Sequence, residues 1–116
     1  MKFLSSSTIG IDQGDDVLFS DYEDGGDMWT GRDTRSRRKS VVFSSPFLAP
    51  PTTFVTLSMW DFDSATNARA DITAENVTET GFDVVFCTWG DTKVARARIR
   101  WMAIGPIASD DDWALY

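Results

Sequence analysis

The chain contains no histidine and only one cysteine, Cys87, among its 116 residues. A disulfide bond within the chain is therefore impossible, and the usual histidine and cysteine sets that hold zinc cannot form. A calcium-binding loop of the EF-hand type is also excluded, because twelve positions counted from Asp21 end on Arg32 instead of a glutamate. We predict no metal site, no other cofactor and an inert thiol at Cys87.

Long apolar runs are also lacking. No stretch approaches the roughly 18 apolar residues of a membrane-spanning helix, so we predict no membrane insertion. Residues 1–8 lack the apolar stretch and the cleavage site of a signal peptide, and we expect them to belong to the mature chain. The localisation stays open between export by a leaderless route and association with a virion or phage-like particle.

The charge balance is acidic, with a net charge of -7, and the acids are uneven. Residues 12–27 contain seven acids and no base, which argues against a nucleic-acid partner. The short basic run that follows has no interleaved aromatics, so we interpret it as a solvated strand edge. Pairing of its members with the acidic segment is the alternative; the run consists of Arg32, Arg35, Arg37, Arg38 and Lys39.

Residues 82–89 and 95–103 alternate with a period of two, which indicates half-buried antiparallel strands. Six strands are predicted, near residues 17–20, 38–45, 53–62, 69–76, 82–89 and 94–104. The sequence therefore predicts an all-β domain over residues 1–105, a six-stranded antiparallel β-sandwich, followed by an acidic and aromatic tail over residues 106–116. No helical period appears, and residues 22–36 are interpreted as a long loop.

The turn at residues 90–93 leaves Trp89 at a strand end, where its indole can be partly exposed. Together with motifs in a fixed order, this turn makes the chain resemble the H-type lectin domain, the N-acetylgalactosamine-binding family of snail agglutinins and the discoidin C-terminal domain. The resemblance covers about residues 9–104 and rests on Pro50-Pro51, Asp61 at a strand end, Asn67-Ala68-Arg69, Gly81-Phe82, Thr88-Trp89 and Trp101.

The resemblance implies a non-enzymatic, carbohydrate-binding lectin that assembles as a homotrimer and binds a hexose or N-acetylhexosamine on cell-surface glycans. The sugar site that it implies falls on Gly31, Asp33, Arg69, Trp89 and Gly90. Snail agglutinins place a histidine where this chain has Gly90, and the loss of one hydrogen bond costs about 0.5–1.5 kcal/mol. Preference for N-acetylgalactosamine is therefore open.

Three further expectations concern other acids and the tail. Asp61 and Asp63 could form a glycosidase pair, but we interpret the strand-ending Asp61 as a structural residue that caps a turn. The alternative function is a structural or attachment module of a phage-like assembly that has lost sugar binding, with a protein partner at the tail. Arg96, Arg98 and Arg100 share one strand face, so we expect acidic partners from residues 12–27 or from a neighbouring protomer.

Overall fold

The computed structural model describes residues 1–4 and 7–109. It is an all-β fold of two three-stranded antiparallel sheets. The expected contact of the tail with a protein partner falls on Trp113 and Tyr116, which lie outside the described residues. The strands are β1 (Ile9–Phe19), β2 (Arg35–Val42), β3 (Thr52–Phe62), β4 (Asp71–Glu75), β5 (Gly81–Thr88) and β6 (Val94–Pro106). The strand order is β1-β6-β3 in one sheet and β2-β5-β4 in the other.

The first strand is much longer than predicted, because it begins at Ile9 instead of near residue 17. One of its inward-facing positions is a glycine instead of an apolar side chain. Gly14 lies opposite Trp101 of β6, and a Cβ at Gly14 would come within 2.5 Å of the indole Nε1. A glycine is needed where a large neighbouring side chain fills the space. The strand therefore lacks the apolar alternation by which sequence patterns are recognised.

The segment predicted as a loop contains two single-turn helices, α1 (Asp21–Asp24) and α2 (Asp27–Thr30). The buried carboxylate of Asp21 joins them, because it accepts a hydrogen bond of 2.9 Å from the backbone N–H of Met28. The same carboxylate accepts two bonds, of 3.1 and 2.7 Å, from Arg37 on β2, which raise the pKa of Arg37. Single turns are too short to show a helical period, so the sequence could not reveal them.

Aromatic side chains from both sheets share one core. Phe86 on β5 packs edge-on against Phe19 on β1, with ring centroids 5.5 Å apart. At the other end of the same strand, Phe82 packs against Trp101 at the same distance. These contacts fix the inner faces of the two sheets against each other. Cys87, on the opposite side of β5, is half-buried and free.

The arginines of β6 have the acidic partners that we expected, with one correction. Arg100 and Arg98 both approach Asp15 of β1, at 3.2 and 3.9 Å, which confirms partners from the acidic segment. Arg96 instead pairs with Asp61 of β3 at 3.1 Å. These pairs are solvent-exposed, so each contributes at most about 1 kcal/mol to stability.

The acidic segment also contacts the basic run. Lys39 pairs with Asp16 at 2.6 Å, and this hydrogen bond lowers the pKa of Asp16. Arg37 likewise pairs with Asp21. At these two positions, the basic run therefore pairs with the acidic segment and is not a solvated strand edge.

β1 pairs antiparallel with β6 from Ile9–Pro106 to Phe19–Ala97, so the start of β1 lies beside the end of β6. There the backbone N–H of Ile107 donates a hydrogen bond of 3.1 Å to the carbonyl of Thr8. The opposite end of β6 leads into the turn that carries Trp89 and Gly90.

In the part of the chain that the structure describes, no helix has the length and apolar character needed to cross a membrane.

Candidate functional site

The turn between β5 and β6 carries two of the predicted site residues. Trp89 follows the last residue of β5, and 41% of it is exposed, which agrees with a partly exposed indole at a strand end. Gly90 has a φ of 69°, in the left-handed region that favours glycine. The absence of a side chain at position 90 therefore suits the backbone of this turn.

The loop after α2 brings Asp33 to the same turn. The backbone N–H of Asp33 donates a hydrogen bond of 2.8 Å to the carbonyl of Gly90. Among residues 1–4 and 7–109, nothing forms a hydrogen bond or ion pair with the exposed Asp33 carboxylate. Gly31 ends α2, and a Cβ there would come within 2.5 Å of the carbonyl oxygen of Asp27. The loop thus presents a free carboxylate beside Gly90.

Arg69 lies in the loop before β4, because this strand begins at Asp71, two residues later than predicted. Two buried threonines hold this loop in place. The Thr88 hydroxyl donates a hydrogen bond of 2.5 Å to the Arg69 carbonyl, and the Thr92 hydroxyl accepts one of 3.2 Å from the Arg69 N–H. The guanidinium points at the turn, since Nη1 lies 3.4 Å from the position of a Cβ at Gly90. Arg69 therefore belongs to the same cluster as Asp33 and Gly90.

The partner of Arg69 is Asp91, at 2.9 Å from Nη1 to Oδ1, and not Asp33. The Asn67 amide donates to both Asp91 oxygens at 3.3 Å. The bonds from Asn67, followed by the charge of Arg69, lower the pKa of Asp91 below its usual 3.8. Asp91 therefore stays ionised at neutral pH and fixes the Arg69 guanidinium.

A carboxylate whose folded-state pKa is lowered contributes stability above its unfolded pKa and loses it as the pH falls through the folded value. We therefore expect Asp91→Asn to lower the melting temperature at pH 7, and the difference from wild type to shrink below about pH 4. Thermal unfolding of both proteins between pH 7 and pH 2.5 measures this. A difference that is constant over the whole range would contradict the expectation.

Arg35, at the start of β2, holds the three parts of the site together. Only 7% of it is exposed, which corrects its interpretation as part of a solvated edge. Its guanidinium donates to five main-chain carbonyls, those of Asp33 (2.9 Å), Asp27 (3.1 Å), Met28 (3.3 Å), Gly90 (3.4 Å) and Thr92 (2.7 Å). Arg35 thereby connects α2, the Asp33 loop and the turn after β5. In the sequence, the only indication of this role of Arg35 was its position next to the predicted Gly31–Asp33 loop.

The remaining carboxylates that we considered have structural partners. Asp61 pairs with Arg96. The turn that we expected Asp61 to cap is capped by Asp63, which accepts a hydrogen bond of 2.9 Å from the N–H of Ala65. Within residues 1–4 and 7–109, no group of three or more acidic, histidine or cysteine side chains is arranged to hold a metal ion. The cluster at Gly90 therefore offers a carboxylate and a guanidinium, with the exposed indole of Trp89 on the adjacent residue.

A family model described as the H-type lectin domain matches residues 38–104. The chain belongs to this family. The predicted family is thus confirmed, and its members are non-catalytic carbohydrate-binding proteins, as the sequence led us to expect. The matched range of this H-type lectin domain contains Arg69, Trp89 and Gly90, while Gly31 and Asp33 precede it.

Known proteins are similar to this chain in sequence or in structure. A protein of Fuscovulum blasticum named ATP synthase subunits region ORF 7 is 51% identical over 109 residues, which cover 94% of this chain and 95% of that protein. Two structures of discoidin II from Dictyostelium discoideum, one recombinant and one wild-type, have TM-scores of 0.74 and 0.73 at 23% identity. They match 90% and 89% of this chain, which spans only 40% and 39% of theirs, and they show the fold.

Proposed function

We propose that this protein is a lectin that binds a hexose or N-acetylhexosamine of cell-surface glycans at the Gly90 cluster. The observation that carries the proposal is the carboxylate of Asp33, which has no partner among the described residues, on a residue that a backbone hydrogen bond of 2.8 Å holds beside Gly90. A free carboxylate can accept two hydroxyl donors of a sugar, and such charge-assisted bonds are the stronger ones. The φ of 63° explains why an aspartate or asparagine suits position 33, but it does not explain the exposed charge.

The neighbouring groups supply the other requirements of sugar recognition. The Arg69 side chain is 39% exposed and can donate to hydroxyls while Asp91 fixes its position. The exposed indole of Trp89 offers an apolar wall for the C–H face of a sugar ring. Gly90 lets the sugar approach the backbone closely but supplies no side-chain hydrogen-bond donor. We therefore expect the affinity for N-acetylgalactosamine to be up to about tenfold lower than it would be with a histidine at position 90.

A glycan array probed with the labelled wild-type protein tests this function. We expect binding to glycans that end in a hexose or N-acetylhexosamine, and no hydrolysis of aryl glycosides by the same preparation. The array should carry galactose and N-acetylgalactosamine side by side, because their ratio reports the preference. Absence of binding to every glycan would refute the lectin function and favour the attachment module.

We further propose that three copies assemble, since single lectin sites are weak and multivalency raises avidity by about 100- to 10,000-fold. An apolar patch on the outer face of the β1-β6-β3 sheet supports association. Phe54, 61% exposed, lies directly opposite Met102, and Ile11 is exposed one row away. A patch of large apolar side chains at a sheet surface is typical of a contact between proteins.

Sedimentation equilibrium is therefore expected to give three times the 12.9 kDa mass of one chain, with no change on adding reductant. Phe54→Asp should place a charge in the patch and dissociate the trimer at micromolar concentration. Leu48→Asp is the matched control, because Leu48 is equally exposed in the β2–β3 loop. A wild-type protein that sediments as a stable monomer at micromolar concentration would contradict the assembly.

A further inference from the structure

Two aromatic rings lie on the short helices immediately before the Asp33 loop. Tyr22 on α1 and Trp29 on α2 meet edge-to-face, with ring centroids 5.6 Å apart and planes at 80°. Tyr22 is 63% exposed, so its ring contributes little to the core. An edge-to-face contact occupies at most one ring face, which leaves aromatic surface open to solvent. This pair, called here the Tyr22–Trp29 platform, precedes the range matched by the family model.

The platform is rigid, because both helices are fixed from below. Met28 is fully buried beside Trp29, and its N–H is bonded to the Asp21 carboxylate at 2.9 Å. Asp21 is itself clamped by Arg37 from β2. A preorganised aromatic surface loses little conformational entropy when a ligand binds, which favours a binding role over an accidental exposure.

The platform is also continuous with the proposed sugar site. Residues 31–33 follow α2 directly, and Arg35 bonds the carbonyls of Asp27 and Met28 in α2 as well as those of Gly90 and Thr92. The ammonium of Lys93, from the same turn, lies 5.9 Å from the centroid of the Trp29 ring. The helices and the Gly90 turn are thus locked to each other through Arg35.

We propose that the Tyr22–Trp29 platform is an extension subsite that holds the second ring of an oligosaccharide whose terminal ring occupies the Gly90 cluster. This inference rests on the proposed lectin function. The Tyr22 ring stacks on the C–H face of the second pyranose, as aromatic rings do with flat apolar surfaces, and Lys93 donates a hydrogen bond to one of its hydroxyls. The ligand class is therefore a disaccharide or longer glycan and not a free monosaccharide.

The test compares each bound monosaccharide with disaccharides that carry it at the non-reducing end, by titration calorimetry. Wild type should bind the best disaccharide about tenfold more tightly than the monosaccharide, and Tyr22→Ala should reduce this ratio to about twofold or less. Tyr22→Leu, which keeps bulk without a flat ring, should behave like Tyr22→Ala, whereas Tyr22→Phe should retain the ratio.

Two controls separate this subsite from the lectin function. Monosaccharide affinity should be unchanged in all Tyr22 variants. Phe3→Ala, which removes an exposed aromatic side chain from the segment before β1, should change neither affinity. An unchanged disaccharide ratio in Tyr22→Ala would overturn the subsite and leave the lectin function intact. Failure of wild type to bind any saccharide would overturn both.

Discussion

Replacement of Asp33 by glycine is expected to weaken glycan binding strongly while the protein stays folded. The carboxylate has no partner within the described part of the fold, so its loss should change the melting temperature by no more than about 2 °C. Binding should fall by about 10- to 100-fold, because bonds between a charged acceptor and hydroxyl donors are lost. Array signals and calorimetric titrations measure the affinity.

The choice of substitution follows from the backbone. Asp33 has a φ of 63°, which glycine and asparagine tolerate better than alanine does. Asp33→Asn should retain part of the binding, since one oxygen acceptor remains. Glu79→Gln is the matched control, because Glu79 is an exposed acid at the opposite end of β5. Unchanged binding in Asp33→Gly, or its unfolding, would show that the carboxylate is idle or structural.

Substitution of Arg35 by lysine should give the largest loss of stability among the residues around the site. A lysine ammonium has three donors and cannot span five carbonyls, so buried acceptors are left without partners. We expect a loss of about 3 kcal/mol in the free energy of unfolding and a melting temperature about 10 °C lower. Affinity for glycans should fall as well, because the Asp33 loop and the Gly90 turn lose their common anchor.

Arg32→Lys provides the comparison, because Arg32 lies next to Asp33 in the loop before β2 and is exposed. Its melting temperature should stay within about 2 °C of wild type. Chemical denaturation and glycan titration of both variants distinguish anchoring from a general effect of arginine loss. Equal stabilities of Arg35→Lys and wild type would rule out the anchoring role.

Much of the fold could be predicted because its strands are half-buried. β3, β5 and β6 alternate between the core and solvent, and their observed bounds lie within two residues of those predicted. The first eight residues of β1 were missed, since its inward Gly14 leaves space for Trp101 and gives no apolar signal. α1 and α2 depend on the Asp21–Arg37 pair, a contact between residues distant in sequence that no local pattern encodes.

The candidate site followed from the family resemblance and not from local periodicity. The resemblance named Asp33, Arg69 and Gly90, which the structure places around one turn. It did not indicate the Asp91 partner of Arg69 or the burial of Arg35, because a basic run in a sequence gives no sign of which member turns inward. Such assignments require the three-dimensional positions of main-chain carbonyls.

The hydrogen bond between Thr8 and Ile107 has a practical consequence for the orientation of the molecule on a support. It joins β1 and β6 at the end of the sheet remote from Trp89, and the 13 residues of β6 separate the two by about 40 Å. A tether placed before Ile9 or after Ile107 therefore directs the Gly90 cluster away from the attached surface. Immobilised through either end, the domain would face its glycans with an unobstructed site.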